Sequence, residues 1–129
     1  MRLITTGSPF ELVEYKGRAY PVAQCNNIYI FPGLGLGVMA CGATKVSDAM
    51  LDISVETLAN CSPAATDRKA VLLPELEKVQ DVICKMALAV ALQAQKEGLA
   101  PERSEEDLKE LIRSRFWSPE YRQIRMAYC

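Results

Sequence analysis

No histidine occurs anywhere in the 129 residues, which removes imidazole metal ligands and every nucleophile that depends on an imidazole base. A self-contained hydrolase is therefore not expected. A basic excess is missing as well: Lys+Arg total 15 against Asp+Glu 16, for a formal charge of -1. A chain that neutralises several phosphates normally carries such an excess, so nucleic acid is not an expected partner. The five cysteines, Cys25, Cys41, Cys61, Cys84 and Cys129, form no C-x-x-C pair and no tight cluster, and the number is odd. They read as small buried apolar residues in a reducing compartment, which points to the cytoplasm.

A membrane-length apolar run is also lacking. The longest uncharged stretch, Ala19 to Ala43, contains Gln24, Asn26, Asn27, two prolines and four glycines, so it reads as buried protein rather than a spanning helix. The opening Met1 to Phe10 has no long apolar core or small-residue cleavage pattern, so no signal peptide is expected. What is present in abundance is apolar character. Half of the residues are hydrophobic and 24% are charged, enough to bury a core and exclude a disordered chain.

The order of elements predicts a mainly α protein with a short strand and hairpin at its start. Residues 2 to 6, closed by Gly7-Ser8-Pro9, read as a strand followed by a loop. Glu11–Tyr15 and Arg18–Val22 flank Lys16-Gly17, the pattern of a two-residue hairpin turn. One strand does not make a parallel sheet, and nothing after residue 30 reads as another strong strand, so the opening looks like the tail of a sheet whose remainder lies elsewhere. A helix is predicted from Pro32, since the first helical turn has no intrahelical use for the missing amide. Gly33, Gly35, Gly37 and Gly42 recur along it, and an interior glycine costs roughly 1 kcal/mol relative to alanine. Close approach of another backbone or of a ligand is the expected reason.

Ser47 predicts a second helix cap, with Leu51, Val55 and Leu58 on one face. Asn60–Lys69 reads as a loop. Pro74 is expected to open the longest helix, with Leu76, Val79, Ile83, Met86, Val90 and Ala94 as its apolar stripe and Gly98 and Pro101 as its stop. Ser104 to Asp107 matches a capping box for a last helix that turns Leu108, Leu111 and Ile112 inward. Phe116 to Arg122 then crowds three aromatics and one arginine into seven residues, a tail that needs protein to pack against.

Few features suggest chemistry. Gly33-Leu34-Gly35-Leu36-Gly37 resembles a dinucleotide loop, but its third glycine is one residue early and the next segment is helical, so tight helix packing is the favoured explanation. The acidic run from Glu102 to Asp107 reads as a solvated helix start rather than a metal site. Asn26-Asn27 before the Pro32 helix offers amide donors beside unpaired backbone amides, which suits a small carboxylate. Such a pair is nevertheless more often a turn and cap.

Two motifs carry an identity. Thr6-Gly7-Ser8-Pro9-Phe10 and the run Gln24-Cys25-Asn26-Asn27-Ile28-Tyr29-Ile30-Phe31-Pro32-Gly33 resemble the carboxy-terminal part of malic enzymes, the oxaloacetate-decarboxylating malate dehydrogenases, in their bacterial NAD-linked form. The likeness extends through Ala43–Asp48, Leu72–Leu76 and Phe116–Arg122, essentially the whole chain. It implies a fragment of a larger Rossmann-containing α/β enzyme that converts L-malate to pyruvate and CO2 with NAD and manganese or magnesium. The family's catalytic tyrosine and lysine, and its acidic metal ligands, would all precede this segment, so the isolated chain is expected to be inactive.

By the same resemblance, residues 1–26 would end the NAD-binding domain, 27–100 would form the helical part of the substrate-side domain, and 101–129 a small terminal segment packed on the subunit or a neighbour in a homo-oligomer. Gly7, Ser8 and Asn26 would face NAD. Asn27 and Asn26 would face malate, with Asn27 preferred although nothing in the sequence separates the two. No catalytic residue and no metal ligand is expected in the chain. The competing reading is a stand-alone, non-catalytic helical interaction module.

Overall fold

The computed structural model describes residues 4–67 and 70–116. Two short β ladders precede four helices. The hairpin forms as expected, with β2 (Val13–Tyr15) antiparallel to β3 (Arg18–Tyr20) and Val13 opposite Tyr20. Its turn residues Lys16 and Gly17 have φ of 50° and 71°. Positive φ at both positions is the twist that joins tight antiparallel strands, and only the first asks it of a residue with a Cβ.

The other ladder corrects the expectation of a single strand. β1 (Thr5–Thr6) pairs in parallel with β4 (Ala23–Gln24), Thr5 beside Ala23 and Thr6 beside Gln24. Two residues between Val22 and Cys25 are too few to show an alternating pattern, so β4 left no periodic signal. Of the expected strand at 2–6, the described part pairs at Thr5 and Thr6, and residues 1–3 lie outside the described range.

A 3-10 turn at Asn27–Tyr29 leads into α1 (Phe31–Cys41), with Pro32 in the first helical turn and Gly42 closing the helix at φ 72°. α2 (Asp48–Asn60) is capped by the Ser47 hydroxyl, which accepts from the Met50 amide at 3.2 Å. α3 (Val79–Lys96) ends at Gly98, φ 68°, with the Leu99 amide bonded to the Ala94 carbonyl at 2.9 Å. α4 (Glu105–Arg115) starts on Ser104, whose hydroxyl accepts from the Asp107 amide at 3.1 Å. These caps satisfy amides and carbonyls that a helix end leaves without partners.

Two helix expectations shift. α3 begins at Val79 and not at Pro74: Glu75 is extended, Leu76–Lys78 forms a separate 3-10 turn, and Leu76 is exposed. The rest of the stripe, from Val79 to Ala94, is buried as read. On α2, Leu51 and Val55 face outward, while Met50 and Ser54 are the fully buried positions. Ser54 is tolerated there because its hydroxyl donates to the Met50 carbonyl at 2.7 Å, so its own polar group is paired.

α1 and α3 form the central pair, with α2 and α4 against them. The glycines explain how closely the pair packs. A Cβ on Gly37 would lie 2.6 Å from the Ala87 carbonyl oxygen and 2.9 Å from Val90 Cβ, and one on Gly33 would lie 2.8 Å from Met86 Sδ. Gly35 meets nothing and Gly42 is a cap, so close approach accounts for two of the four glycines. Met86, Val90, Ala94 and Leu108 fill one part of the core; Tyr29, Leu36, Ile83, Ala87 and Ile112 fill the other.

The cysteines are free thiols among the described residues, but they are not uniformly buried. Cys41 is buried, Cys61 and Cys84 are half-buried, and Cys25 is exposed because it follows the open end of β4. Burial raises the thiol pKa of Cys41, and that of Cys84 with help from the charge of Asp81. Cys129 and the aromatic tail from Trp117 to Arg122 lie outside the described residues; Phe116, the tail's first member, packs against the buried cluster that includes Ile83 and Ile112.

Candidate functional site

In open parallel α/β sheets, ligands bind in the crevice beyond the carboxyl ends of the strands. Here the carboxyl ends of β1 and β4 lie side by side. Chain leaves the first as Gly7-Ser8 and the second as Cys25-Asn26-Asn27. The Cys25 amide donates to the Thr6 carbonyl at 2.8 Å, the Gln24 side-chain amide donates to the Gly7 carbonyl at 3.2 Å, and the Thr6 hydroxyl donates to the Ser8 carbonyl at 2.8 Å. Those three bonds draw Gly7 and Ser8 alongside Asn26, bringing together the residues the sequence marked for cofactor contact.

All four site residues, Gly7, Ser8, Asn26 and Asn27, are exposed. At Gly7 an added Cβ would meet nothing within 4 Å, and its φ is not positive. Neither packing within the described residues nor backbone conformation calls for glycine there. The open polar backbone at a strand end is compatible with close approach by a nucleotide cofactor.

The two asparagines have different surroundings. Asn26 caps the 3-10 turn, its Oδ1 accepting from the Ile28 amide at 3.2 Å, so its side chain keeps only the NH2 for other contacts. The turn-and-cap reading of this residue is therefore realised. Asn27 opens the turn, and its side-chain amide has no hydrogen-bond partner among the described residues. Its donors and its acceptor all remain available.

Behind this turn sits Tyr29, 3% exposed, a residue the sequence marked only as part of a motif. Its hydroxyl donates to the Pro74 carbonyl at 2.6 Å across 45 residues of sequence. Burial, then the nearby charges of Cys25 and Glu77, hold its pKa above the ordinary tyrosine value, so the hydroxyl stays a donor at neutral pH. Burial of a tyrosine after two asparagines has no signature in local periodicity; the partner at Pro74 is too distant in sequence to suggest it.

Among the described residues, no group of three His, Cys, Asp or Glu side chains comes together in a way that could hold a metal ion. The donor set of this part of the chain thus does not fit a divalent cation by itself. No helix of the described residues is long and apolar enough to cross a membrane. An apolar groove of about 500 Å³ runs between α2 and the segment before α3, lined by Val55, Leu58, Leu72 and Leu73. It shares no residue with the strand-end site.

Comparison with known proteins gives a consistent assignment. The family model described as "Malic enzyme, NAD binding domain" matches residues 1–95. A protein named NAD-dependent malic enzyme from Pseudomonas savastanoi pv. phaseolicola is 54% identical over 123 residues, covering 95% of this chain and 22% of the relative. Another of that name from Photorhabdus laumondii subsp. laumondii is 52% identical over 120 residues, covering 93% of this chain and 21% of its own length. NAD-dependent malic enzyme 2 of Photobacterium profundum is 53% identical over 119 residues, covering 92% and 21%. The chain spans about a fifth of the length of these curated relatives.

Proposed function

The chain belongs to the malic enzyme family, and from that premise we propose that it forms the carboxy-terminal part of an NAD-dependent malic enzyme subunit and contributes one wall of the malate and NAD site. The supporting observation is the pairing of β1 with β4, which sets Gly7-Ser8 and Asn26-Asn27 at one strand-end edge. The full enzyme converts L-malate to pyruvate and CO2. NAD, held along Gly7, Ser8 and Asn26, would supply the hydride acceptor for the oxidation of malate that precedes loss of CO2.

Within this scheme the chain's own residues bind and orient. The free amide of Asn27 donates to a malate carboxylate, and the NH2 of Asn26, whose oxygen is held by the Ile28 amide, points to malate or to the cofactor. The open backbone of Gly7 and Ser8 receives NAD. The proton-handling tyrosine and lysine, and the acidic ligands of a manganese or magnesium ion, belong to the rest of the subunit, so the isolated chain turns over no malate.

In the same reading, residues 1–26 complete a Rossmann-type NAD-binding domain, 27–100 belong to the substrate side, and 101–129 pack on the subunit or its neighbours in a cytoplasmic homo-oligomer. One observation favours the competing reading of a stand-alone interaction module: the four helices enclose a core of their own around Met86 and Leu108. A gene encoding the metal-ligand acids upstream of Met1 decides for the enzyme.

The test is Asn27→Ala in the full-length enzyme. An amide hydrogen-bonded to a charged carboxylate contributes about 1.5–3 kcal/mol, so kcat/KM for malate should fall roughly 10- to 150-fold while the KM for NAD holds. An unchanged malate KM and kcat would remove Asn27 from the site.

A further inference from the structure

A side chain that binds a substrate carboxylate must be held in place by something that is not itself exposed. In the turn from Asn26 to Tyr29, the first three residues are exposed and only Tyr29 is buried. The turn's internal bonds, from the Tyr29 amide to the Asn26 carbonyl at 3.2 Å and from the Ile30 amide to the Asn27 carbonyl at 3.1 Å, fix its shape but not its location. The ladder before it is two residues long. Residues 26–29 make a single long-range hydrogen bond among the described residues, from the Tyr29 hydroxyl to the Pro74 carbonyl.

The acceptor is well supported. Pro74 is buried, its ring restricts the local backbone, and the 3-10 turn at Leu76–Lys78 joins it directly to α3. Tyr29 belongs to the same buried cluster as Leu36, Val79 and Ile83, and the turn that carries it contacts both α1 and α3. We propose that Tyr29 is the positioning residue of the malate-binding turn, fastening Asn27 to the start of α3 through its bond to the Pro74 carbonyl. This rests on the reading of Asn27 as a malate ligand. Tyr29 itself touches no substrate. It acts by fixing where the Asn27 amide stands relative to the two strand ends, and small misplacements of a binding group carry large kinetic penalties.

The experiment is a double-mutant cycle in the full-length enzyme with Tyr29→Phe, Asn27→Ala and the pair together. Phenylalanine keeps the ring in the core and removes only the hydroxyl. Loss of one hydrogen bond corresponds to a change of roughly 2- to 12-fold, and the malate KM of Tyr29→Phe should rise by about that factor, with the KM for NAD and the kcat at saturating malate within about twofold of the parent. The pair should then have a malate KM no higher than Asn27→Ala alone, because the anchor has nothing left to position.

A malate KM unchanged by Tyr29→Phe overturns the proposal, as does an effect that multiplies with that of Asn27→Ala, which would mark a tyrosine serving stability alone. If Asn27→Ala itself leaves malate kinetics untouched, the reading of the site falls and the anchor falls with it; Asn27→Ala active and Tyr29→Phe silent sinks the anchor only. Should Tyr29→Phe not fold, Pro74→Gly loosens the acceptor backbone and leaves the tyrosine intact. The same malate-selective rise in KM is expected from it, and its absence counts against the proposal equally.

Discussion

The helices enclose an apolar core, although Phe31, Met39 and Val55 stay exposed, whereas the strand-bearing stretch before them encloses none. From Phe31 onward, Met50, Met86, Val90 and Leu108 are removed from solvent entirely, and α3 is covered by three other helices. Between Ile4 and Ile28, by contrast, Ile4, Phe10, Leu12, Val13 and Tyr15 all remain exposed. The same bulk of hydrophobic residues thus makes a closed core in one region and an uncovered face in the other. An uncovered apolar face of this kind suits contact with further protein, and the chain spans about a fifth of its relatives' length. The candidate site belongs to the uncovered region but leans on the closed one.

The sharpest way to break that contrast is Gly37→Ala. Its new methyl would collide with the Ala87 carbonyl, a backbone atom that cannot move aside, and overpacking of this kind costs about 1–3 kcal/mol. Urea unfolding of the 129-residue chain should show the loss, and an unaltered midpoint would mean that α1 and α3 do not pack this closely. Gly35→Ala, on the same helix, meets nothing and exchanges a poor helix former for the best one. It should stabilise by up to ~1 kcal/mol in the same measurement, and a destabilisation would reveal a contact on that face. The smallest effect belongs to the open region. Phe10→Ser should shift stability by less than about 0.5 kcal/mol while lowering self-association in light scattering. A large loss of stability would show that Phe10 is already packed.

How much of this was legible beforehand follows the range of the interactions involved. The turn at Lys16-Gly17, the caps at Ser47 and Ser104 and the stop at Gly98 are local chemistry, and each reads directly from a few neighbouring residues. The buried stripe of α3 is periodic and equally visible, though its start is not: the extended Glu75 and the bond between Tyr29 and Pro74 set the bend there. On α2 the apolar residues outnumber the positions the core can cover, so periodicity alone could not choose between the Met50 face and the Leu51 face. The parallel partner of β1 was hidden for a related reason, being only two residues long.

At the site, the motif identified both asparagines, but nothing local distinguished them. Only the geometry separates Asn26, whose oxygen closes the turn, from Asn27, whose amide is left over. The anchor at Tyr29 was illegible altogether, because its partner stands 45 residues away.

That separation has a consequence in time. A ribosome emits Asn26 and Asn27 well before Pro74 and the helix behind it, and chains grow at roughly 5–20 residues per second. The turn therefore spends seconds after its synthesis with neither Pro74 nor α3 present to hold it. Closing a loop of that length is entropically unfavourable until α1 and α3 meet. Pairing of the helices is therefore expected before the Tyr29 hydroxyl bonds to the Pro74 carbonyl.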